Sequence, residues 1–188
     1  MKKDRDWKAY IKEVPDFPKD GVNYKDISPL LSYEDVFRAA VVSMGTAVQA
    51  GVRSDQMVLS PDMEEEWIPR PDYWIGVDAR GFIFASALAV YFGGGVVMCR
   101  KKGKLPQPTI DTEYNTEYSY DFISIKEGSG NVVVVDDVLA TGGTIDAVNR
   151  VAKLAGYNVV DNVVLIDLKY VPRIKNFDID VKSVVSYE

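Results

Sequence analysis

The sequence contains no histidine and only one cysteine among its 188 residues. The absence of histidine excludes Ser-His catalytic triads, imidazole acid–base chemistry and histidine metal sites. Cys99 has no partner for an intramolecular disulfide and lies in the apolar run 96–99, which predicts a small core residue in a reducing compartment. Any catalysis must therefore use carboxylates, lysine, arginine, tyrosine or backbone groups.

Long apolar runs and an excess of positive charge are also missing. No window approaches the roughly 20 apolar residues of a membrane span, and the first residues lack the apolar core of a signal peptide, so we expect a cytoplasmic protein. The formal net charge is −6. Nucleic acids and anionic membranes require a basic surface, so neither is an expected partner. With 47% hydrophobic residues, the chain can form one domain with a sizeable core.

The apolar pattern predicts alternating strands and helices. Apolar residues at helical spacing predict a helix over 34–50, with Gly51 as its stop signal. Further along, strands are predicted at 73–77, 96–99, 131–137 and 159–168, and helices at 79–92 and 144–155. The last helix carries Ile145, Val148, Val151 and Leu154 on one face. Continuous Val/Ile runs are typical of strands buried on both faces, so we expect an α/β fold with a central, mostly parallel sheet flanked by helices.

Two segments interrupt this alternation. Residues 100–125 are rich in Tyr, Thr, Lys and Pro, which predicts a mobile flap or hairpin rather than a crossover helix. Residues 53–72 combine several prolines with an acidic run. We interpret them as a solvated surface insertion, and a subunit contact or an effector site is the less favoured alternative.

The sharpest motif is a turn that follows the four valines 132–135. Asp136 and Asp137 end this strand, and the turn that opens the next helix consists of Ala140, Thr141, Gly142, Gly143 and Thr144. Glycines let backbone N–H groups approach a phosphate, threonines add hydroxyl donors, and the helix N-terminus adds partial positive charge. The motif is neither a Walker loop nor a dinucleotide fingerprint. Because ligands in open α/β sheets bind beyond the carboxyl ends of strands, we prefer a phosphomonoester site to a solvated turn.

Residues 132–144 resemble the phosphoribosyl pyrophosphate signature of type I phosphoribosyltransferases. The resemblance implies that the turn 140–144 holds the 5′-phosphate and that Asp136 and Asp137 face the ribose hydroxyls. It also implies a Mg²⁺ ion held mainly by the substrate, with the same two carboxylates as candidate protein ligands.

Positively charged residues follow the predicted strands 73–77 and 96–99. Arg80 lies at the start of a helix, where the macrodipole disfavours a positive charge. We therefore expect Arg80 to bind an anion rather than to be an ordinary surface arginine. Arg100, Lys101 and Lys104 belong to a run of positive charge in an acidic chain. Such a run is usually a solvated face, but its position favours a pyrophosphate clamp. Residues 78–82 and 100–106 resemble the matching segments of the adenine-specific branch of the family.

The flap and the N-terminal segment extend this resemblance. Glu117 and Tyr118 fall on the branch's functional Glu-Tyr pair, which implies that Glu117 exchanges a proton with the purine, that Tyr118 binds phosphoribosyl pyrophosphate, and that the flexible flap excludes water. By themselves these residues would equally fit an exposed hairpin. Residues 13–31 are similar to the branch's base-binding hood, in which Val22, Tyr24 and the backbone at Lys25 would contact the base. Asp20, Tyr24 and Gln107 depart from the usual proline, phenylalanine and glycine.

The resemblance runs from about residue 13 to the end and implies one domain, 1–188. It implies purine salvage by a homodimer, in which adenine and phosphoribosyl pyrophosphate give AMP and pyrophosphate with Arg80, Glu117, Asp136 and Asp137 as the catalytic set. Two alternatives remain at this point: the same chemistry with xanthine, guanine or hypoxanthine, and a non-catalytic regulator that binds phosphoribosyl pyrophosphate. Glu117 and the basic flap disfavour the regulator, and no helix-turn-helix with a basic face is visible.

Overall fold

The computed structural model describes residues 5–48, 71–115 and 120–188. Most of the predicted insertion at 53–72, and both Glu117 and Tyr118, lie outside the described residues. The chain divides into two compact units, Met1–Val41 and Val42–Glu188. In the described ranges no helix is sufficiently long and apolar for a membrane crossing.

The first unit contains short elements that the sequence pattern did not predict. Strands β1 (Lys12–Val14) and β2 (Tyr24–Asp26) pair antiparallel, and the short helix α1 (Ser28–Ser32) follows. Helix α2 (Glu34–Ala47) begins here and ends in the second unit. The predicted end of α2 at residue 50 is wrong, because Val48 is no longer helical. The Val48 N–H instead bonds the Gly45 carbonyl at 3.3 Å, which tightens and closes the last turn.

The second unit is built on one seven-stranded sheet, which confirms the predicted α/β class. Its order is β5-β6-β4-β3-β7-β8-β9, in which β4, β3, β7, β8 and β9 run parallel and β5 and β6 form an antiparallel edge. The strands and the two further helices are, in chain order, β3 (Tyr73–Val77), α3 (Arg80–Phe92), β4 (Gly95–Lys101), β5 (Ile110–Asn115), β6 (Tyr120–Ile125), β7 (Gly130–Leu139), α4 (Gly143–Leu154), β8 (Tyr157–Leu168) and β9 (Lys182–Tyr187).

The core lies along β7 and β8, whose valine-rich centres are fully buried, as their sequence pattern predicts. Two details differ from the predictions. In β4, Val96 and Met98 are exposed, so this strand alternates instead of being buried on both faces. In α4 the buried stripe runs through Ile145, Val148 and Val151, whereas Leu154 in the last turn is 65% exposed. Leu154 therefore lies outside the buried face.

The strand order creates a crevice at the carboxyl edge of the sheet. Strand β3 lies between β4 and β7, and the three strands are parallel and in register near their ends, as the pairs Val77–Cys99 and Gly76–Val135 show. The chain leaves β3 through α3 towards β4, and leaves β7 through α4 towards β8 on the opposite side. Such a reversal of strand order leaves a crevice for ligands between the two connections.

Candidate active site

A cavity of about 280 Å³ opens at this crevice. Most of the residues that the sequence analysis assigned to phosphate, pyrophosphate and ribose line it together, although they come from three separate strand ends. These residues are Arg80, Arg100, Lys101, Asp136, Asp137, Ala140, Thr141, Gly142 and Thr144.

The remaining candidates lie elsewhere. Gly143 and Lys104 are described but do not line the cavity. Gly143 is the first residue of α4, and the Lys104 carbonyl accepts a hydrogen bond from Arg100 at 3.1 Å. Glu117 and Tyr118 lie outside the described residues. The predicted base contacts all belong to the first compact unit.

The turn 140–144 has the backbone geometry that its glycines predict. Gly142 has a φ of +86° in the left-handed region and caps the N-terminus of α4, where its carbonyl accepts the Asp146 N–H at 2.9 Å. A β-carbon at Gly142 would lie 2.5 Å from the Phe177 ring, so both conformation and space require glycine. The turn therefore presents backbone N–H groups at a helix start beside the cavity.

Two residues that the sequence analysis missed, Arg173 and Ile174, bond this turn, and Asp167 holds Arg173. Arg173 Nη1 donates to the Ala140 carbonyl, and Arg173 Nη2 donates to Asp167 Oδ1. The Ile174 N–H donates to the Thr141 carbonyl at 2.8 Å. The only signal in the sequence is positional, because a segment that follows a strand next to β7 must pass the carboxyl edge of the sheet.

The acidic pair at the end of β7 is strongly desolvated. Burial raises the pKa of Asp137, although the nearby Arg80 opposes the shift. Burial, and then the charge of Asp137, raise the pKa of Asp136 well above its usual range. Asp136 keeps some accessible surface at the cavity, and its Oδ1 accepts the Asp137 N–H at 2.9 Å. The pair thus retains a proton more readily than ordinary carboxyls do.

Arg80 forms an ion pair with Asp137 across the crevice. Its Nη1 lies 2.9 Å from Asp137 Oδ2, an oxygen to which no described group donates a well-aligned hydrogen bond. Gly81 makes this approach possible, because a β-carbon there would lie 2.6 Å from the Val135 carbonyl oxygen. About a third of the Arg80 side chain remains exposed. It therefore stays accessible to an anion in the cavity.

Arg100 is fixed at the other wall by several contacts. Its Nε donates to Asp78 Oδ2 at 2.9 Å, and its guanidinium carbon lies 5.8 Å from the centroid of the Phe82 ring. Lys102, next along the basic run, forms a 3.1 Å ion pair with Asp111. Cys99 is buried, as predicted for a small core residue, and this burial raises its pKa to about 12.

The edge strands β5 and β6 pair antiparallel, and the predicted flap over 100–125 stays a prediction. Arg150 of α4 reaches β5, since both of its terminal nitrogens donate to the Glu113 carbonyl at 3.2 Å. Its Nε also pairs with Asp146 at 3.0 Å. Helix α4, which begins at the turn 140–144, is therefore tied to β5, the strand that precedes Glu117.

The hood candidates have clear roles in the first unit. The Lys25 side chain is buried and forms a 2.7 Å ion pair with Glu13, and this hydrogen bond lowers the pKa of Glu13. The Tyr24 ring packs edge-on against Phe17 with centroids 5.2 Å apart. Val22 donates its N–H to the Lys19 carbonyl at 3.2 Å. The side chain of Lys25 is thus structural, and the base contact expected from its backbone stays a prediction.

The fold and the cavity define a phosphoribosyl transferase domain: the model of the family with that description matches residues 69–185, and the chain belongs to this family. The predicted type I fold and family resemblance are confirmed.

Relatives of this chain include proteins named adenine phosphoribosyltransferase. The protein of that name from Hydrogenovibrio crunogenus is 38% identical over 180 residues, with 95% of each chain covered. The crystal structure of the adenine phosphoribosyltransferase from Thermoanaerobacter pseudethanolicus is 34% identical, with a TM-score of 0.80 over 96% of this chain and 97% of that one. The Saccharomyces cerevisiae structure, complexed with D-2,5-dideoxy-2,5-imino-altritol 1,6-bisphosphate and adenine, is 25% identical, with a TM-score of 0.77 over 95% and 96%.

Proposed function

We propose that this chain transfers the ribose 5-phosphate unit of phosphoribosyl pyrophosphate to adenine and releases pyrophosphate. The observation that carries the proposal is the cavity itself, in which a phosphate turn, a desolvated acidic pair and a cationic wall converge from three strand ends. The names of the relatives, and the adenine bound in the yeast structure, support adenine as the base.

The two ends of the sugar phosphate would bind opposite parts of the cavity. The N–H groups and hydroxyls of Ala140, Thr141, Gly142, Gly143 and Thr144 would hold the 5′-phosphate at the start of α4. Asp136 and Asp137 would accept hydrogen bonds from the ribose hydroxyls. Burial raises the pKa of both carboxyls, and a hydroxyl that donates to either of them would stabilise its ionised form.

The pyrophosphate would leave towards the cationic wall. The bond from C1 of the ribose to the pyrophosphate oxygen breaks with its electron pair, and N9 of adenine forms the new bond to C1. Arg80, Arg100 and Lys101 line the cavity and would face this negative charge, and Lys104 belongs to the same basic run. Cations fixed beforehand at that place stabilise the transition state without further rearrangement.

The base and its proton would be handled by the hood and the flap. Val22, Tyr24 and the backbone at Lys25 are the proposed adenine contacts, because a few backbone groups can discriminate an amino group from a 6-oxo group. Glu117 is proposed to take the proton that the purine loses, and Tyr118 to bind the sugar phosphate. The tie between Arg150 and the Glu113 carbonyl supports a flap position near the phosphate helix.

The donor set fits a Mg²⁺ ion that the substrate largely coordinates. Within the described ranges no group of three or more Cys, Asp and Glu side chains is arranged for a metal, while Asp136 and Asp137 offer carboxylate oxygens at the cavity. Mg²⁺ commonly binds through one or two carboxylates plus substrate phosphates. Bound in this way, it would neutralise charge on the pyrophosphate. The expected homodimer remains a prediction, which sedimentation velocity would measure.

One assay tests the proposal. The chain is incubated with phosphoribosyl pyrophosphate, Mg²⁺ and a single purine, and pyrophosphate release and nucleotide formation are followed in parallel. We expect AMP with adenine and no turnover with hypoxanthine, guanine or xanthine. Turnover with a 6-oxopurine and none with adenine would show that the 6-oxopurine, and not adenine, is the substrate. Tight binding of phosphoribosyl pyrophosphate without turnover on any base would indicate a regulator.

A further inference from the structure

The back of the phosphate turn is held by Arg173, a residue that does not line the cavity. None of residues 168–177, all of which the structure describes, lines the cavity. Arg173 nevertheless donates to the Ala140 carbonyl through Nη1, and the same nitrogen donates to the Leu168 carbonyl at 3.1 Å. One side chain thus joins the end of β8 to the first residue of the turn.

Two carbonyl groups of the turn accept hydrogen bonds from residues 173 and 174. Besides Arg173 on Ala140, the Ile174 N–H bonds the Thr141 carbonyl at 2.8 Å. The C=O and N–H of one peptide unit are coplanar and point in opposite directions. A carbonyl fixed towards residues 173 and 174 therefore directs the N–H of the following residue, Thr141 or Gly142, away from them. Thr141 and Gly142 both line the cavity.

The hydrogen bond to Ala140 also strengthens the donor. A guanidinium bound to a carbonyl oxygen polarises the whole peptide group, which makes its N–H more positive. It also keeps the carbonyl lone pairs away from a phosphate, which they would repel. Asp167 holds the other nitrogen of Arg173, so the side chain is fixed and its charge is largely compensated. The effect of Arg173 on a ligand should therefore act through the peptide rather than as a bare cation.

We propose that Arg173 is a positioning residue that orients the Thr141 N–H towards the 5′-phosphate of the bound sugar. The inference rests on the proposed function, because it concerns the phosphate-binding end of that site. It assigns a role to a side chain 33 residues from Ala140. It also predicts a selective effect: ligands with a 5′-phosphate depend on Arg173, and pyrophosphate does not.

The test compares Arg173→Met and Arg173→Lys with the unchanged chain. The Kd of ribose 5-phosphate and the Kd of pyrophosphate are measured by calorimetry, and kcat and KM for phosphoribosyl pyrophosphate by pyrophosphate release. We expect Arg173→Met to raise the Kd of ribose 5-phosphate and the KM about tenfold, the scale of one lost hydrogen bond to a charged group. The Kd of pyrophosphate should change less than about twofold. Arg173→Lys, which keeps a charged donor, should recover part of the loss.

A matched control separates positioning from general destabilisation. Gly156→Ala places a β-carbon 2.4 Å from the Gly128 carbonyl at a φ of +100°, away from the cavity. It should lower Tm without raising the Kd of ribose 5-phosphate. The inference would be overturned if Arg173→Met raised the Kd of ribose 5-phosphate and the Kd of pyrophosphate equally, or raised neither. If Arg173→Met does not fold, an unchanged Kd of ribose 5-phosphate in Arg173→Lys would also overturn the inference. If the unchanged chain binds no ribose 5-phosphate, the proposed function fails together with the inference.

Discussion

Replacing Gly142 with alanine tests whether the shape of the turn 140–144, and not only its composition, carries the phosphate site. Alanine at the observed φ of +86° costs about 1–2 kcal/mol because its β-carbon approaches the carbonyl oxygen. The same β-carbon would lie 2.5 Å from the Phe177 ring, and overpacking of this kind costs about 1–3 kcal/mol. The sum is about 2–5 kcal/mol if the turn keeps its geometry.

The turn can relieve this strain only by moving, because alanine fits neither the observed φ nor the space beside the Phe177 ring. The N–H groups of Thr141 and Gly142, whose direction the bonds to the Ala140 and Thr141 carbonyls fix, then lose their orientation. We expect the KM for phosphoribosyl pyrophosphate in Gly142→Ala to rise at least about tenfold, which corresponds to 1.4 kcal/mol of lost binding. Initial rates at varied substrate measure this change, and thermal unfolding of the same samples measures the stability.

Two companion variants decide the cause. Gly142→Ala combined with Phe177→Ala removes the clash but keeps the backbone strain, so it should recover part of the affinity. Gly156→Ala has comparable strain and its own close contact, but it lies outside the turn, and should lower Tm with an unchanged KM. A Gly142→Ala chain that retains both its stability and its KM would refute the reasoning, since the turn would then tolerate a geometry that the structure forbids.

Three further predictions concern the carboxyl groups. Asp137→Asn should lower kcat/KM about 100-fold or more while the circular dichroism spectrum stays native, because Arg80 loses its counterion and the sugar loses an acceptor; nearly normal activity would exclude this role. Glu117→Gln should lower kcat about 100-fold and leave the KM for phosphoribosyl pyrophosphate within about threefold, so full activity would contradict proton transfer. The raised pKa of Asp136 means that the folded chain binds a proton that the unfolded chain releases, and the free energy of unfolding therefore falls as pH rises from about 4 through that pKa. In curves of Tm against pH for the ligand-free chain, Asp136→Asn should make this loss of stability smaller. Curves of equal slope for the variant and the unchanged chain would contradict a raised pKa of Asp136.

The central motif could be predicted because its parts are contiguous. Four valines, two aspartates and a glycine-containing turn stand next to one another, and each has a local physical meaning that tertiary contacts reinforce. The cations Arg80 and Arg100 were also predictable, since each follows a strand and parallel strands end at the same edge.

The remaining features depend on contacts that no local pattern records. Strands β1 and β2 have three residues each, which is too short for a period of two to appear. Arg173 lies 33 residues from the carbonyl that it binds. The exposure of Leu154 also follows from packing, because a helical period alone does not say how wide the covered stripe is.

The support behind the phosphate turn has a consequence for synthesis of the chain on the ribosome. The turn emerges before residues 167–177, which supply Asp167, Arg173 and Phe177. A nascent chain that has reached only the end of α4 possesses the whole recognition motif but lacks the contacts that orient its peptide groups. On the proposed function, competence to bind the sugar phosphate would be acquired only after translation has passed residue 177.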